Sequence, residues 1–324
     1  MRVLPRLDAR IPPWRTDALV GRACPFCGHA GREAFLRPDQ LTVRACEQCG
    51  CHFVSPTPSE ADLAQFYASY HIHHARRAAL DAEYARSVLS EDPLSDVRVQ
   101  RINALLPLAG KRILDVGFGG GELLAKCSRL GASVAGVDLD PDVVRFAREQ
   151  LRLADVHCGT LAAVAAERFD AIFMNDFIEH PLDPLDVLRQ ACGLLRPGGL
   201  ISIWTPNGSH LREEADPVAL RVDLEHMQYL SYGTVVFAGR ALGLEVVHLE
   251  SLGFPGLQNI GNIPAPKSAV PGAHVRLVRA LKRGARRVSW VRRALELRDR
   301  ASRARQRDGK YHLMAILRDA RQPA

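Results

Sequence analysis

The chain has 324 residues, of which 47% are hydrophobic and 24% are charged, a balance typical of folded proteins that excludes wholesale disorder. No apolar run approaches the roughly 18 residues of a membrane-spanning helix, and polar residues interrupt the apolar stretches at the start, so we expect neither a membrane span nor a signal peptide. The net charge of +7 is concentrated in one Arg-rich stretch. These features predict a cytoplasmic protein with one domain of ordinary size and a small module.

A cluster of cysteines is the first distinct feature along the chain. Cys24 and Cys27 form one Cys-x-x-Cys pair, Cys46 and Cys49 form another, and 18 residues separate the pairs. This spacing is typical of a structural zinc site, in which four thiolates surround the ion as a tetrahedron. Clustered thiols in a chain without an export signal are expected to bind metal rather than to form disulfides. Because a closed site has no open position for substrate, the predicted zinc is structural.

From Arg112 onward, apolar runs alternate with helix-like segments. The runs are RILDV, SVAGVD, FDAIFM, GLISIW and EVVHL, and YHLMAIL predicts a last strand. This alternation predicts an α/β fold of Rossmann-like, doubly wound type with a mostly parallel sheet. Tyr67 and Tyr70 are candidate lid residues. The predicted organisation is a tail at 1–21, a zinc-ribbon module at 22–58, a helical linker or lid at 59–97 and the α/β domain at 98–320, with a basic helical insertion at 276–308.

A glycine-rich turn follows the first of these strands. Asp115 lies in that strand, and Gly117, Gly119 and Gly121 lead from it into the next helix. Glycines allow the backbone to approach a ligand closely. Asp138 ends the next strand, where a carboxylate can accept hydrogen bonds from two ribose hydroxyls. Either aspartate alone could instead cap a turn or helix, but the ordered set favours a cofactor site.

The segments DVGFGGG, GVDLDPDVV, CGTLAAV, FDAIFMNDFIEH and LLRPGGLISIWTPN resemble, in this order, the motifs of class I S-adenosylmethionine-dependent methyltransferases. The resemblance implies that Asp115 and the three glycines surround the methionine part of S-adenosylmethionine and that Asp138 holds its ribose. It also implies that Leu139 and the turn containing Thr160 flank the adenine, and that Asn175 lies near the sulfonium.

The cysteine block resembles the N-terminal zinc-binding segment of some bacterial sugar C-methyltransferases and of related methyltransferases in glycan or natural-product pathways. This second resemblance implies a shared metal site. It makes methylation of a sugar carbon one alternative function for the chain.

Candidate catalytic residues lie in two segments. Asp176 and His180 follow the strand FDAIFM, at the edge where open α/β sheets bind ligands, and His226 lies in a later loop. An imidazole, with an ordinary pKa near ~6.5, can accept a proton near neutral pH. The segment around Glu179 also resembles the Glu-x-x-Glu-His pattern of ubiquinone-type O-methyltransferases, whose residues there can bind a divalent cation. The alternatives are a structural role for Glu179 and His180 in the turn, and ordinary packing for His226.

The Arg-rich stretch spans residues 276–310 and contains fourteen Lys and Arg but only three acids. Apolar residues are interleaved with the arginines, so the pattern fits a helix packed on the domain or one that contacts an anionic membrane or another polyanion.

Taken together, these patterns predict an enzyme that transfers a methyl group from S-adenosylmethionine to a small-molecule or glycan-linked acceptor, preferably to oxygen. Two alternatives remain. One is a sugar C-methyltransferase, and the other is a nucleic-acid-binding protein with a zinc ribbon and a non-catalytic Rossmann domain.

Overall fold

The computed structural model describes residues 14–15, 17–37, 39–67, 80–211, 225–253 and 311–320. The Arg-rich stretch and Tyr70 therefore lie outside the described residues. None of the helices in the described ranges has the length and apolar character needed to cross a membrane.

The described residues form eleven strands and seven α-helices. The strands are β1 (Arg32–Leu36), β2 (Thr42–Ala45), β3 (His52–Val54), β4 (Arg112–Val116), β5 (Ser133–Asp138), β6 (Val156–Cys158), β7 (Phe169–Asn175), β8 (Leu195–Pro206), β9 (Gln228–Tyr229), β10 (Leu244–Leu252) and β11 (His312–Asp319). The helices are α1 (Glu60–Tyr67), α2 (Ala82–Ser90), α3 (Val97–Leu105), α4 (Glu122–Arg129), α5 (Pro141–Gln150), α6 (Pro184–Leu194) and α7 (Tyr232–Leu242).

The larger sheet has seven strands in the order β10-β11-β8-β7-β4-β5-β6. Strands β8, β7, β4, β5 and β6 run parallel, whereas β11 is antiparallel to both of its neighbours. Because helices cover both faces of a parallel sheet, its strands are apolar on both sides, and Ile113 to Val116 of β4 are all buried. The predicted α/β fold with a mostly parallel sheet is confirmed. The last strand, β11, lies between β8 and β10 and not at an edge.

Helices α5, α6 and α7 beside the larger sheet begin at side-chain caps, whereas α4 follows Gly121 without one. Asp140 accepts hydrogen bonds from backbone N–H groups at the start of α5, and Asp183 does the same for α6. Ser231 and Thr234 form a reciprocal capping box at the start of α7. These caps fix where each helix begins, and so they place the loops at the carboxyl edge of the sheet.

The smaller sheet is antiparallel and has the order β1-β2-β3-β9. Its first three strands come from the cysteine-rich block, but β9 comes from residues far along the chain. His52 pairs with Tyr229, and the Val54 N–H donates a 2.8 Å hydrogen bond to the Met227 carbonyl. The hydrophobic core continues from this sheet into the larger one, since Phe53 belongs to the same buried cluster as Leu114. The cysteine-rich block is thus joined to the larger sheet by strand pairing and by a common core.

A buried ionic cluster lies between α3 and α4. The Asp96 carboxylate accepts hydrogen bonds from Arg98 Nε at 3.0 Å and Nη2 at 2.7 Å, and the Lys126 ammonium lies 3.4 Å away. Burial by itself would raise the pKa of Asp96, but the two cations outweigh it and hold that pKa well below its ordinary range. The Arg98 guanidinium lies 5.8 Å from the ring centroid of Trp204. The cluster therefore secures α3 against the sheet.

We expect the substitution Asp96→Asn to lower the free energy of unfolding by about 2 to 3 kcal/mol, because it leaves the Arg98 cation without its buried partner. The folded-state pKa of Asp96 is depressed. The difference in free energy of unfolding between the wild type and the variant should therefore be constant at neutral pH and should narrow as the pH falls below about 4. Chemical denaturation at several pH values measures this effect. Asp92→Asn is the matched control, because Asp92 caps a short helix without an ion pair among the described residues. Equal losses in the two variants would contradict the prediction.

Candidate functional site

A cavity of about 420 Å³ opens at the carboxyl edge of the larger sheet. Gly117 after β4, Asp138 at the end of β5, Thr160 after β6 and Asp176 after β7 line one side of it, and Tyr67 of α1 lies on the other. The carboxyl ends of parallel strands meet at one edge, which is where open α/β sheets bind ligands. The fold therefore brings together residues that the sequence analysis had taken from four separate segments.

The glycine turn between β4 and α4 depends on backbone conformations that favour glycine. Gly117, Gly119 and Gly121 have φ angles of 69°, 54° and 72°. A Cβ on Gly117 would lie 2.8 Å from the Phe177 ring, and one on Gly121 would lie 2.7 Å from a Leu151 methyl. Side chains at these positions would distort the turn, so the glycines allow its backbone to line the floor of the cavity at Gly117.

The Asp138 carboxylate is held in place by the glycine turn. One of its oxygens accepts a 2.9 Å hydrogen bond from the Gly119 N–H, and the other accepts a 3.0 Å hydrogen bond from the Asp140 N–H. Each carboxylate oxygen can accept more than one hydrogen bond, so the group can still bind hydroxyls in the cavity that it lines. Leu139, 42% exposed, and Thr160 lie beside it along the wall.

Asp115 and Asn175 lie in the two central strands, each directly before a residue that lines the cavity. Asp115 is buried, and both polar atoms of the Asn175 side chain are buried without a hydrogen-bond partner among the described residues. An unsatisfied buried amide costs about 1 to 3 kcal/mol, so this position fits contact with a polar ligand. The glycine floor, the anchored Asp138 and the unsatisfied Asn175 together fit a nucleoside cofactor with a polar tail.

Arg98 is a residue near this site that the sequence analysis missed. Burial acts to lower its pKa, but the negative charges of Asp96, Asp176 and Asp115 raise it above the ordinary value. The guanidinium is thus the positive charge that offsets the carboxylates at the strand ends. It belongs to no motif, and an arginine in the first turn of α3 gives no sign in the sequence that it faces the sheet.

His180 has both ring nitrogens engaged. Its Nε2 lies 3.0 Å from the Asp176 carbonyl oxygen, which can only accept, so Nε2 carries the proton in the neutral ring. Nδ1 lies 2.6 Å from the Tyr67 hydroxyl oxygen and 3.4 Å from the Glu225 carbonyl oxygen. Asp176 itself has a φ angle of 47° and lines the cavity. His180 therefore ties the turn after β7 to α1, and Tyr67, expected only as a lid residue, contacts a candidate catalytic group.

His226 lies directly beside His180, although 45 residues separate them in sequence. The two ring centroids are 4.9 Å apart. His226 Nε2 is 3.9 Å from Glu179 Oε1, a charge contact and not a hydrogen bond, and both side chains are buried. Ligand atoms of Glu179, His180 and His226 lie within 4.8 Å of one another, and Asp176 is not part of this group. At this turn, the residues with metal-ligand chemistry that lie together thus include His226 and not Asp176.

The four cysteine sulfurs converge beside the smaller sheet. The Sγ–Sγ distance is 3.3 Å between Cys27 and Cys46, 3.5 Å between Cys24 and Cys49, and 3.6 Å between Cys46 and Cys49. Thiolates around a tetrahedral zinc ion, with Zn–S bonds of ~2.3 Å, would be about 3.8 Å apart. Only a small expansion is needed to accept the ion. The donor set and its geometry therefore fit zinc.

Glycines shape the two turns of this centre. Gly28 and Gly50, each directly after a cysteine pair, have φ angles of 74° and 76°. Their N–H groups donate to the Cys24 and Cys46 carbonyls at 2.9 and 3.0 Å, which closes each turn around its pair of sulfurs. The two cysteine pairs are thus followed by turns with similar backbone conformations.

Comparison with known proteins identifies the family to which this chain belongs. Residues 83–249 match a family model described as a methyltransferase domain. The chain belongs to this methyltransferase family. The prediction of an S-adenosylmethionine-dependent methyltransferase is thereby confirmed at the level of the family. The matched residues do not include the cysteine block, so the resemblance of that block to sugar C-methyltransferases stays a prediction.

Among curated relatives, this methyltransferase is similar to the ubiquinone biosynthesis O-methyltransferases of Xanthomonas oryzae pv. oryzae and Xanthomonas campestris pv. campestris. The identities are 40% and 39% over 121 residues, which cover 35% of this chain and 51% of each relative. The chain thus spans about half the length of the curated relatives that it matches.

Among solved structures, the methyltransferase is similar to a SAM-dependent methyltransferase from Archaeoglobus fulgidus, with 18% identity, a TM-score of 0.45 and coverage of 68% of this chain and 92% of that one. It is also similar to 1,6-didemethyltoxoflavin-N1-methyltransferase from Burkholderia thailandensis, with 16% identity, a TM-score of 0.47 and coverage of 90% and 100%.

We expect the purified protein to contain about one zinc ion per chain. Cys46→Ser should remove the zinc and lower the melting temperature, because metal binding contributes to folding. The affinity for S-adenosylhomocysteine should change little, since the cavity lies in the larger sheet. Elemental analysis, thermal denaturation and calorimetry measure the three quantities. Cys192→Ser is the control, because Cys192 lies outside the cluster. Loss of zinc with an unchanged melting temperature would refute the structural role.

For Asp138→Ala we expect S-adenosylmethionine binding to weaken by about 1.5 to 3 kcal/mol, because a charge-assisted contact to the ribose is lost. Titration calorimetry measures the affinity, and circular dichroism checks that the variant is folded. Asp138→Asn keeps the shape of the side chain, so it separates loss of charge from loss of packing. Binding as tight as in the wild type, in a folded alanine variant, would mean that Asp138 does not hold the ribose.

Proposed function

We propose that this methyltransferase transfers a methyl group from S-adenosylmethionine to a hydroxyl oxygen of a small-molecule or glycan-linked acceptor. The observation that carries the proposal is the Asp138 carboxylate, which is anchored by the glycine turn and faces the cavity at the sheet edge. The names of the curated relatives support oxygen as the acceptor atom. S-Adenosylmethionine supplies, when bound, an electrophilic methyl group on a positively charged sulfur.

In this proposal the cofactor-binding residues act by position. Asp138 accepts hydrogen bonds from the ribose hydroxyls, and Leu139 and Thr160 flank the adenine. Asp115, Asn175 and the glycines surround the amino-acid end, where the buried amide of Asn175 gains the partner that it lacks among the described residues. Holding the methyl group and the acceptor in line reduces the entropy cost of the reaction, which is the main contribution that a protein can make to a displacement of this kind.

His226 is the proposed general base. The acceptor oxygen forms a bond to the methyl carbon, the sulfur–carbon bond breaks, and the hydroxyl proton passes to the imidazole. The buried Glu179 carboxylate, whose Oε1 lies 3.9 Å from His226 Nε2, stabilises the positive charge that His226 gains. His180 is proposed as a positioning residue because its two nitrogens are engaged by Tyr67 and by the Asp176 backbone. Asp176 is proposed to shape the turn after β7.

We propose that zinc at the four cysteines stabilises the smaller sheet. The sugar C-methyltransferase alternative rests on the resemblance of this cysteine block alone. A contact with a membrane or polyanion through residues 276–310 stays a prediction, because that stretch lies outside the described residues. The nucleic-acid-binding alternative depends on the same stretch, whereas the family match favours an enzyme.

Calorimetry with S-adenosylhomocysteine, followed by transfer assays with deuterated S-adenosylmethionine, tests this function. The acceptor probes are 3,4-dihydroxybenzoate for hydroxylated aromatics and a hexose nucleotide for glycans. Mass spectrometry detects the added group, and NMR distinguishes a methoxy group from a methyl group on carbon. We expect tight binding and an O-methyl product. No binding by the folded protein would overturn the proposal, and a C-methyl product would favour the sugar alternative.

We expect His226→Ala to keep its affinity for S-adenosylhomocysteine and to lower turnover by about 10²- to 10⁴-fold, the usual range for loss of a general base. His180→Ala should weaken cofactor binding as well, because the turn after β7 loses its link to α1. Glu179→Gln should lower turnover without a large change in affinity. The measurements are calorimetry and steady-state kinetics with an acceptor that the wild type methylates. Normal turnover of His226→Ala, with activity lost in His180→Ala at unchanged affinity, would reverse the two roles.

A further inference from the structure

The two proposed halves of the site belong to different sheets. The cofactor-binding residues lie on loops of the larger sheet, whereas His226 directly precedes Met227 and β9 in the smaller sheet. Strand β9 pairs with β3, whose preceding residues carry the cysteine centre. The orientation of His226 therefore depends on contacts with a part of the chain that lies outside the matched methyltransferase segment.

Arg37 makes one of these contacts. It follows β1, its side chain is fully buried, and its Nη1 donates a hydrogen bond to the His226 carbonyl. The guanidinium also binds Asp39, because Nε donates to Oδ1 at 3.0 Å and Nη2 donates to Oδ2. Asp39 is also buried, and its negative charge balances the positive charge of Arg37. Asp39 thereby fixes the plane of the guanidinium, and the plane directs Nη1 at the His226 carbonyl.

The peptide group between His226 and Met227 is thus bonded on both sides. Its carbonyl oxygen accepts from Arg37 in the smaller-sheet module, and its N–H donates to the Glu179 carbonyl at 2.8 Å in the turn of the larger sheet. The orientation of this peptide sets the backbone on which the His226 imidazole is mounted. Since Glu179 also carries the carboxylate that faces the ring, the same peptide relates the imidazole to its charge partner.

A second arginine of the module holds the next carbonyl. Arg22 donates from Nη2 to the Met227 carbonyl, from Nε to the Val54 carbonyl at 2.9 Å and from Nη1 to the Leu182 carbonyl at 2.9 Å. It therefore spans the smaller sheet, β9 and the turn after β7. Two successive carbonyls, those of His226 and Met227, are held by guanidinium groups of the same module.

The chemistry of Arg37 and Asp39 favours a positioning role over a purely stabilising one. Desolvating both charges offsets much of their attraction, and a buried ion pair can often be replaced by apolar residues at no loss of stability. An apolar pair would not donate a hydrogen bond in a fixed direction. Lysine could balance the charge of Asp39, but it has no planar fork that engages Asp39 and a carbonyl together.

We propose that Arg37 is a positioning residue for the base: by binding the His226 carbonyl, it orients the imidazole toward Glu179 and so couples the cysteine module to the acceptor side of the site. This inference rests on the proposed role of His226. It concerns the acceptor side alone, and the cofactor-binding side does not depend on Arg37.

Histidine-ring NMR of the full chain tests the inference without an acceptor. The protein is labelled with ¹³C in its histidine rings, and the His226 signal is assigned from its absence in His226→Ala. In Arg37→Lys we expect the His226 ring signal to shift or broaden, while the signal of exposed His29 in the same module stays in place. Arg44→Lys is the matched control, because Arg44 lies in β2 and donates to Ala30 and Gly31 and not to His226.

The same variants are titrated with S-adenosylhomocysteine. For Arg37→Lys we expect an affinity within about twofold of the wild type, since Arg37 does not line the cavity. With an acceptor that the wild type methylates, turnover should fall by about 10- to 100-fold, and Arg37→Lys should have no further effect in a His226→Ala background. If Arg37→Lys does not fold, the double variant Arg37→Met/Asp39→Leu removes both charges and keeps the test.

An unchanged His226 signal in a folded Arg37 variant would overturn the inference. So would a loss of S-adenosylhomocysteine affinity as large as the loss of turnover. Failure of the wild type to methylate any acceptor would count against the proposed function, whereas the ring signal would still decide whether Arg37 orients His226.

Discussion

The pairing of β9 with β3 is the contact on which the arrangement of the site depends. It brings a two-residue strand from the second half of the chain into a sheet that begins at Arg32. Short as it is, the pairing is reinforced on both sides: the Val54 N–H bonds to the Met227 carbonyl, and the Cys49 carbonyl accepts from the Ser231 and Thr234 hydroxyls at the start of α7. The pairing holds the segment after His226 to the smaller sheet, while the Met227 N–H bond to the Glu179 carbonyl holds it to the turn after β7.

Buried charged groups around the site are organised in pairs, of which Asp96–Arg98 and Arg37–Asp39 are local in sequence and Glu179–His226 joins distant segments. Asp96 and Arg98 secure α3, Arg37 and Asp39 secure the smaller sheet, and Glu179 faces His226. Buried charge is costly when it is unpaired, and the cost rises when a partner moves. Such pairs therefore resist displacement, which is the property that a preorganised site requires.

The matched methyltransferase segment accounts for only part of this structure. It ends at residue 249, so it contains β9 but not the three strands with which β9 forms a sheet, and it does not contain β11 in the middle of the larger sheet. Arg22 and Arg37 lie outside this segment, so their contacts with it are not part of the shared methyltransferase domain. They reach the loop that carries His226 and leave the glycine turn and Asp138 untouched. The glycine turn and Asp138 thus lie within the shared segment, whereas the part of the cavity wall that contains Tyr67 does not.

The sequence by itself determined the features that depend on short stretches of chain. The alternation of apolar runs after Arg112 indicated the parallel sheet, and the spacing of the cysteine pairs indicated their convergence, because strands, turns and paired turns are dictated by neighbouring residues. Asp138 was found in the same way, from its place at the end of a strand.

Only the tertiary structure decided how distant segments meet. The placement of β11 between β8 and β10, the contact of His180 with His226 and the hydrogen bond from Arg37 to a backbone carbonyl all join residues far apart along the chain. Arg98 likewise gained its significance from burial. No local pattern encodes such contacts, because they follow from which strands pair and which charges are buried together, and those are properties of the packed core.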